Sequence, residues 1–203
     1  AVIVAAAVGD TNHDARVKGF TQKFTELGGE VVGEVHCADP SEAVQKAGDA
    51  LSANPDADCC YGTGGDYSVA AVSVMASNGI EMPVYGTDIT PDVLDGIRNG
   101  KIIAANGAVG NYCGTFAALL LINALDGHPI LDENGQAPVE TNFHAITVTT
   151  DNVDAFEENW LNNEIFTPEE LQNLLYRVNP DVTWADYQNI IQNYSFDERM
   201  ATK

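Results

Sequence analysis

The sequence predicts a doubly wound parallel α/β sheet followed by a helical C-terminal extension. Three observations lead there. Short apolar, β-branched runs alternate with amphipathic runs through roughly the first hundred residues. Each strand-plus-helix unit takes about 25–30 residues, the size of a right-handed crossover between parallel strands. The alternation stops near residue 126, and the last fifty residues read as helix. On this basis residues 1–150 form the α/β lobe and residues 151–203 the extension.

The elements follow in order. "AVIVAAAV" is apolar throughout and ends at Gly9, as a strand buried on both faces would be. Residues 13–28 place Val17, Phe20, Phe24 and Leu27 at helical spacing and stop at Gly28 and Gly29. "EVVGEVHC" is strand-like. "DPSEAVQKAGDALSANP" offers Asp39 or Ser41 as N-cap, an early Pro40, and Ala43, Ala47 and Leu51 on one face. "ADCCYGT" reads as a strand, "DYSVAAVSVMASNG" as a small-residue helix ended by Gly79, and "PVYGTD" as a short strand. "TPDVLDGIRNG" has Thr90 as cap, Pro91 in the first helical position and Gly100 as its stop. "KIIAANG" is a further strand and 111–126 a further helix. "DGHPILDENGQAPVETN" is a loop or hairpin and "FHAITVTT" a strand. Thr167-Pro168-Glu169-Glu170 forms a capping box ahead of Leu171, Leu174 and Leu175. Thr183 to Asp186 opens a last helix bearing Trp184, Tyr187, Ile190 and Ile191, which read as packing residues.

Charge narrows the function classes. Nine basic residues stand against 30 acidic ones, a net charge of -21. Nucleic acid and anionic membrane surfaces both require clustered Lys and Arg, so neither is an expected partner. The acidic excess reads as a solvated surface. No stretch reaches the roughly 18 apolar residues of a membrane span. The chain opens inside a strand with no Met and no signal peptide, as a mature product or a cut fragment would. Cys37, Cys59, Cys60 and Cys113 match neither a metal quartet nor a disulfide framework and read as small buried hydrophobes.

Ligands in such sheets bind beyond the carboxyl ends of the strands. The residues placed there are Gly9 to His13, Thr63 to Asp66, Thr87 to Asp88 and Asn106 to Val109. "GTGGD" fits neither phosphate-loop pattern, and no Lys follows it. "DTNHD" imitates the opening of a calcium loop, but Ala15 and Thr21 stand where that loop needs Gly and Glu. His13, His36, His128 and His144 are not at ligand spacing for a metal, and only His13 lies in a ligand-side loop. No cofactor, no metal and no nucleophile motif is expected. Asp10, Asp66 and Asp88 at strand ends suit either acid–base work or acceptance from hydroxyls. Arg16, about a turn into the first helix, reaches either toward a ligand oxygen or to one of the many carboxylates in a surface ion pair.

"GDTNHDARVKGFTQKFTELGGEVVGEVH", with Arg16 followed by the Gly19-Phe20 pair, resembles the opening of the second lobe of type I periplasmic sugar-binding proteins, the ribose- and galactose-binding kind. "LSANPDADCCYGTGGDYSVAAVSVMASNGIEMPVYGTDITPDVLDGIRNGKIIAANGAVGNYCGTFAALLLINALDGHP" and "ITVTTDNVDAFEENW" continue the resemblance over about residues 1–160. The resemblance implies a lobe of the periplasmic binding protein-like type I fold and the solute-binding component of an ABC-type importer, not an enzyme. It implies a sugar-like small-molecule ligand, with Arg16 clamping an oxygen, Asp88 accepting from hydroxyls, and Gly65 and Asp66 at the third strand end. With Asp10, Asn12, His13 and Asn106 these make the candidate ligand-binding set. The implied partners are a transporter permease and a first lobe that this chain lacks. The implied location is extracellular or periplasmic, tethered as a lipoprotein. Two departures stand out. The family usually has Asn where Gly65 stands and often Gln near 108, so polar contacts are expected to move to Asn106 or Asp66. In the family, residues 105–126 cross to the first lobe. Without it the helix at 111–126 is expected to rearrange, form a homodimer or expose an apolar face. Two rival readings are the effector domain of a lactose-repressor-like regulator and an α/β enzyme using Asp66 and Asp88.

Overall fold

In the computed structural model, residues 1–107, 110–140, 145–162, 165–193 and 199 are described. His144 and the start of the strand expected at 143–150 lie outside them, as does Ala108. The chain divides into two compact units, Ala1–Gly107 with Thr147–Val153, and Ala108–Ile146 with Asp154–Lys203. Among the described residues no helix is long and apolar enough to cross a membrane.

The first unit carries the sheet. Its strands are β1 (Val2–Ala6), β2 (Gly33–Cys37), β3 (Cys60–Gly62), β4 (Val84–Thr87), β5 (Ile102–Gly107) and β6 (Ile146–Thr149), in the spatial order β2-β1-β3-β4-β5-β6. β1 pairs in parallel with both β2 and β3, and β3–β4 and β4–β5 are parallel as well. The helices are α1 (Thr11–Glu26), α2 (Ala43–Ala53), α3 (Gly65–Asn78) and α4 (Pro91–Arg98). β1 to β2 steps one way along the sheet, whereas β2 to β3 and the later crossovers step the other. Right-handed crossovers then put α1 on one face and α2, α3 and α4 on the opposite one. The order reverses between β1 and β3, which makes that strand pair the switch point of the fold.

The local chemistry explains the elements. β1 is buried at every position, as its unbroken apolar run requires. Ile3, Ala5 and Tyr61 form a cluster on the α1 face, closed by Val17, Phe20 and Val31. α1 begins at Thr11, two residues before the periodicity indicates, because Asp10 caps it. Asp39 caps a 3-10 turn at Pro40–Glu42 that runs into α2. Thr90 caps α4 with Pro91 in its first turn, and Gly79 ends α3 in the left-handed region at φ 64°.

The second unit is helical: α5 (Gly110–Leu125), α6 (Val153–Phe156) continuing as a π-helical turn over Glu157–Leu161, α7 (Pro168–Gln172) and α8 (Trp184–Asn193). The capping box predicted at Thr167–Glu170 is present. Phe116 of α5 meets Phe166 and Tyr187 edge-on at 5.1 and 6.2 Å. Asn123, fully buried, donates to the Leu174 carbonyl and the Tyr187 hydroxyl and accepts from the Tyr176 amide. Arg177 grips Asp126, just past the end of α5, through both carboxylate oxygens. One face of α5 is therefore covered by residues 166–187, while Leu121 and Leu125 stay 59% and 77% exposed.

Candidate functional site

The site is built at the carboxyl ends of β1, β3 and β4. The β1–α1 turn comes first. Gly9 sits at φ 97°, a region open to glycine, and its amide donates to Asp14 Oδ2 at 3.0 Å. Asp10 then accepts from the amides of Asn12 at 3.0 Å and His13 at 3.2 Å. The His13 amide, ahead of that of Asn12, holds the Asp10 carboxyl below the usual carboxylate range. This cap fixes the first turn of α1, and with it the direction of His13 and Arg16.

Both side chains converge on Thr63, the residue directly after β3, which is fully buried. His13 Nδ1 lies 2.7 Å from Thr63 Oγ1. Arg16 donates from one terminal nitrogen to the Thr63 carbonyl at 2.8 Å. The same nitrogen donates to Asp88 Oδ2 at 3.1 Å and the second one to Asp88 Oδ1 at 3.0 Å. The guanidinium is thus held on a carboxylate from β4 and a carbonyl from β3, with side-chain exposures of 31% for Arg16 and 45% for Asp88. This bidentate geometry fixes the fork more firmly than a single contact would.

Asp88 has a strained backbone. Its φ of 68° makes it the one positive-φ residue other than glycine among the described residues. Its amide donates to the Asn106 carbonyl at 2.9 Å, and a side chain at Gly107 would come within 3.1 Å of the Asp88 Cα. Beneath it, Tyr61 bonds Thr87 Oγ1 at 2.8 Å and stacks on Phe20 with ring centres 4.3 Å apart. Burial pushes the Tyr61 phenol up, so it stays protonated. Phe20 of the Gly19-Phe20 pair therefore supports the floor of the site from α1.

The glycines of the "YGTGG" run are there for packing. A Cβ on Gly62 would lie 2.4 Å from the Ser68 amide nitrogen. One on Gly64 would lie 3.1 Å from His13 Cε1 and 3.2 Å from Tyr67 Cδ2, and one on Gly65 would lie 2.9 Å from Thr90 Cγ2. These approaches let His13 and Tyr67 meet edge-on at 5.6 Å beside the strand end.

Of the predicted set, His13, Arg16 and Asp88 are joined through Thr63. Asn12 and Asp66 are exposed in the first turns of α1 and α3, and Gly65 is buried under Thr90. Asn106 is exposed and donates to Thr147 Oγ1 at 3.3 Å. Asp10 and Asp88 have separate partners, backbone amides for one and a guanidinium for the other. Among the described residues no group of three His, Cys, Asp or Glu side chains is placed to hold a metal. Thr63 was located beyond a strand end by sequence but given no role, and Tyr61 and Tyr67 were not picked out. Position directly after a strand end was the one available signal for Thr63, and Tyr61 and Tyr67 carried none beyond apolar patterning. The arrangement offers fixed donors and acceptors at a strand-end switch point, which is the chemistry of holding a polar solute.

Comparison with known proteins agrees with this fold. No curated protein matches the chain. A periplasmic ribose ABC transporter structure from Conexibacter woesei DSM 14684 superposes with a TM-score of 0.64 at 20% identity, covering 77% of this chain and 52% of that one. An arabinose binding protein from Geobacillus stearothermophilus gives 0.64 at 22% identity, over 76% and 55% of the two chains. An ABC transporter solute binding protein from Bacillus halodurans C-125 with bound myo-inositol gives 0.64 at 21%, over 77% and 53%. The chain thus spans about half the length of these structures, and they share its fold. Residues 1–129 match the family described as periplasmic binding protein domain, and the chain belongs to that family.

Proposed function

We propose that this chain is the C-terminal lobe of the solute-binding component of an ABC-type importer, and that it holds a sugar or similar polar, uncharged molecule against a first lobe outside this chain. The observation that carries the reading is Arg16, held bidentately on Asp88 and by one further bond on the Thr63 carbonyl, at the switch point of the sheet. Beyond the bonds they share, a guanidinium keeps further N–H donors and a carboxylate further lone pairs, which suit vicinal hydroxyls that donate and accept at once. Structures that share the fold include a periplasmic ribose ABC transporter, an arabinose binding protein and a solute binding protein with bound myo-inositol. Asp10, Asn12, Asp66 and Asn106 surround the pair at the same sheet edge and form the outer part of the proposed site. The protein would work outside the cytoplasmic membrane, held to it by a lipid anchor and delivering its ligand to a permease.

The test is a thermal-shift screen of the full-length protein that carries this lobe, against sugars, polyols, nucleosides and amino acids. A ligand at 100 times its Kd adds about 2.7 kcal/mol of stability. A response to one sugar or polyol class that disappears in Arg16→Ala supports the reading. A response that is indifferent to Arg16→Ala, or a response to charged amino acids alone, refutes it.

A further inference from the structure

Thr63 is the residue on which the whole site turns, although nothing in its type announces it. It is fully buried, and it serves two side chains through two different atoms: its hydroxyl meets His13 Nδ1 at 2.7 Å, and its carbonyl accepts from Arg16 at 2.8 Å. The two contacts fall on one residue of the short turn between β3 and α3. A hydroxyl can donate to or accept from an imidazole nitrogen, so the bond holds the ring whichever nitrogen carries the proton.

We infer that Thr63 is the positioning residue of this site. Its hydroxyl holds the His13 ring in place, while its carbonyl places the Arg16 fork. A ligand at the strand ends therefore meets a fixed ring and a fixed fork rather than a rotating imidazole. Gly64 leaves room for this arrangement, because a Cβ there would crowd His13 Cε1 at 3.1 Å and Tyr67 Cδ2 at 3.2 Å and oblige them to give by a few tenths of an ångström. The inference about ligand affinity rests on the proposed solute-binding function; the inference about His13 does not.

The test uses the 203-residue chain labelled with 15N, with the imidazole nitrogens read by long-range 1H–15N correlation. In the wild type at pH above 7.5, the His13 Nδ1 should show the chemical shift of a hydrogen-bonded imidazole nitrogen. Thr63→Val keeps the shape and removes the hydroxyl, so that signature should be lost. Thr63→Ser should restore the wild-type pattern. A His13 Nδ1 that shows no hydrogen bond in the wild type, or that is unchanged in Thr63→Val, overturns the inference; the wild-type measurement decides the matter even if the valine variant fails to fold. In the full-length protein, a sugar found by the thermal-shift screen should bind about three- to tenfold more weakly to Thr63→Val, the scale of one lost neutral hydrogen bond, and normally to Thr63→Ser. Equal weakening by serine and valine also overturns it. A screen with no ligand defeats the proposed function and leaves the His13 result standing on its own.

Discussion

Replacing Asn123 with alanine should loosen the second unit by about 3 kcal/mol. The side chain is fully buried and uses every bond shown for it: donation to the Leu174 carbonyl at 2.8 Å and to the Tyr187 hydroxyl at 3.0 Å, and acceptance from the Tyr176 amide at 2.8 Å. The three partners do not suffer equally. Tyr187 still donates to the Leu174 carbonyl at 2.9 Å, so those two remain satisfied by each other. The Tyr176 amide loses the Asn123 oxygen. Three bonds at about 1 kcal/mol each give the total, and the stranded amide pushes it toward the upper end of a range of about 2–4 kcal/mol. The sequence supplies the assay. Its two tryptophans, Trp160 and Trp184, both lie in the second unit, so intrinsic fluorescence follows that unit alone. The urea midpoint should fall by about 1–2 M at an ordinary denaturant slope. Hydrogen exchange of the β1 amides should stay as in the wild type. A loss below about 1 kcal/mol would show that residues 166–187 are held to α5 by apolar packing, with the Asn123 network contributing nothing net.

Further outcomes follow from other parts of the chain. Gly62→Ala sets a methyl 2.4 Å from the Ser68 amide nitrogen and 2.7 Å from its Cα, both backbone atoms, so a loss of about 3 kcal/mol or more should appear in thermal denaturation. Arg199 holds Glu170 through a side-chain bond at 2.9 Å and draws its carboxyl down to about 2 from an unfolded value near 4.5. The contribution is complete above pH 4.5 and fades as pH falls toward 2. Discounted for the one-third exposure of Glu170, it is about 1 kcal/mol. The stability gap between wild type and Glu170→Gln should close over that acid range, and a gap independent of pH would contradict the assignment. Burial raises Cys60 to about 12 and lifts Cys37, Cys59 and Cys113 as well. With Ellman's reagent at pH 8 the half-buried Cys113 should react first and Cys60 only on unfolding, as peptide mapping of the adducts would show.

Much of the fold was legible because its signals are local. Asp39, Thr90 and Thr167 read as caps and act as caps. The parallel sheet follows from alternation and crossover length alone. The misread boundary at α1 has a chemical cause: "DTNHD" is polar enough to pass for a loop, yet Asp10 spends its carboxylate on two amides and starts the helix at Thr11. α7 stops after Gln172 although Leu174 and Leu175 continue the apolar spacing. The Leu174 carbonyl is taken by Asn123 and Tyr187, a tertiary contact that no window of sequence contains. The site was legible by position and not by partnership. Strand ends located Arg16 and Asp88, but the sequence left open whether Arg16 served a ligand or an ion pair. The structure pairs it with Asp88, 72 residues away, inside the candidate site, so the alternatives are not exclusive. Thr63 was located beyond a strand end but its role stayed hidden, because a buried threonine after a strand looks like any other packing residue.

The left-handed backbone of Asp88 sets two kinds of selection against each other. A non-glycine residue at φ 68° costs on the order of 1 kcal/mol, and glycine at that position would recover it. Asp88→Gly should therefore raise the melting temperature slightly while leaving Arg16 with the Thr63 carbonyl as its remaining anchor in the site. A library sorted for heat resistance alone would drift toward this substitution and, on the proposed function, lose its grip on solute. A library sorted for capture at low solute concentration would keep the aspartate and accept the strain. Running both sorts on one library would turn a single dihedral angle into a readout of what the position is kept for.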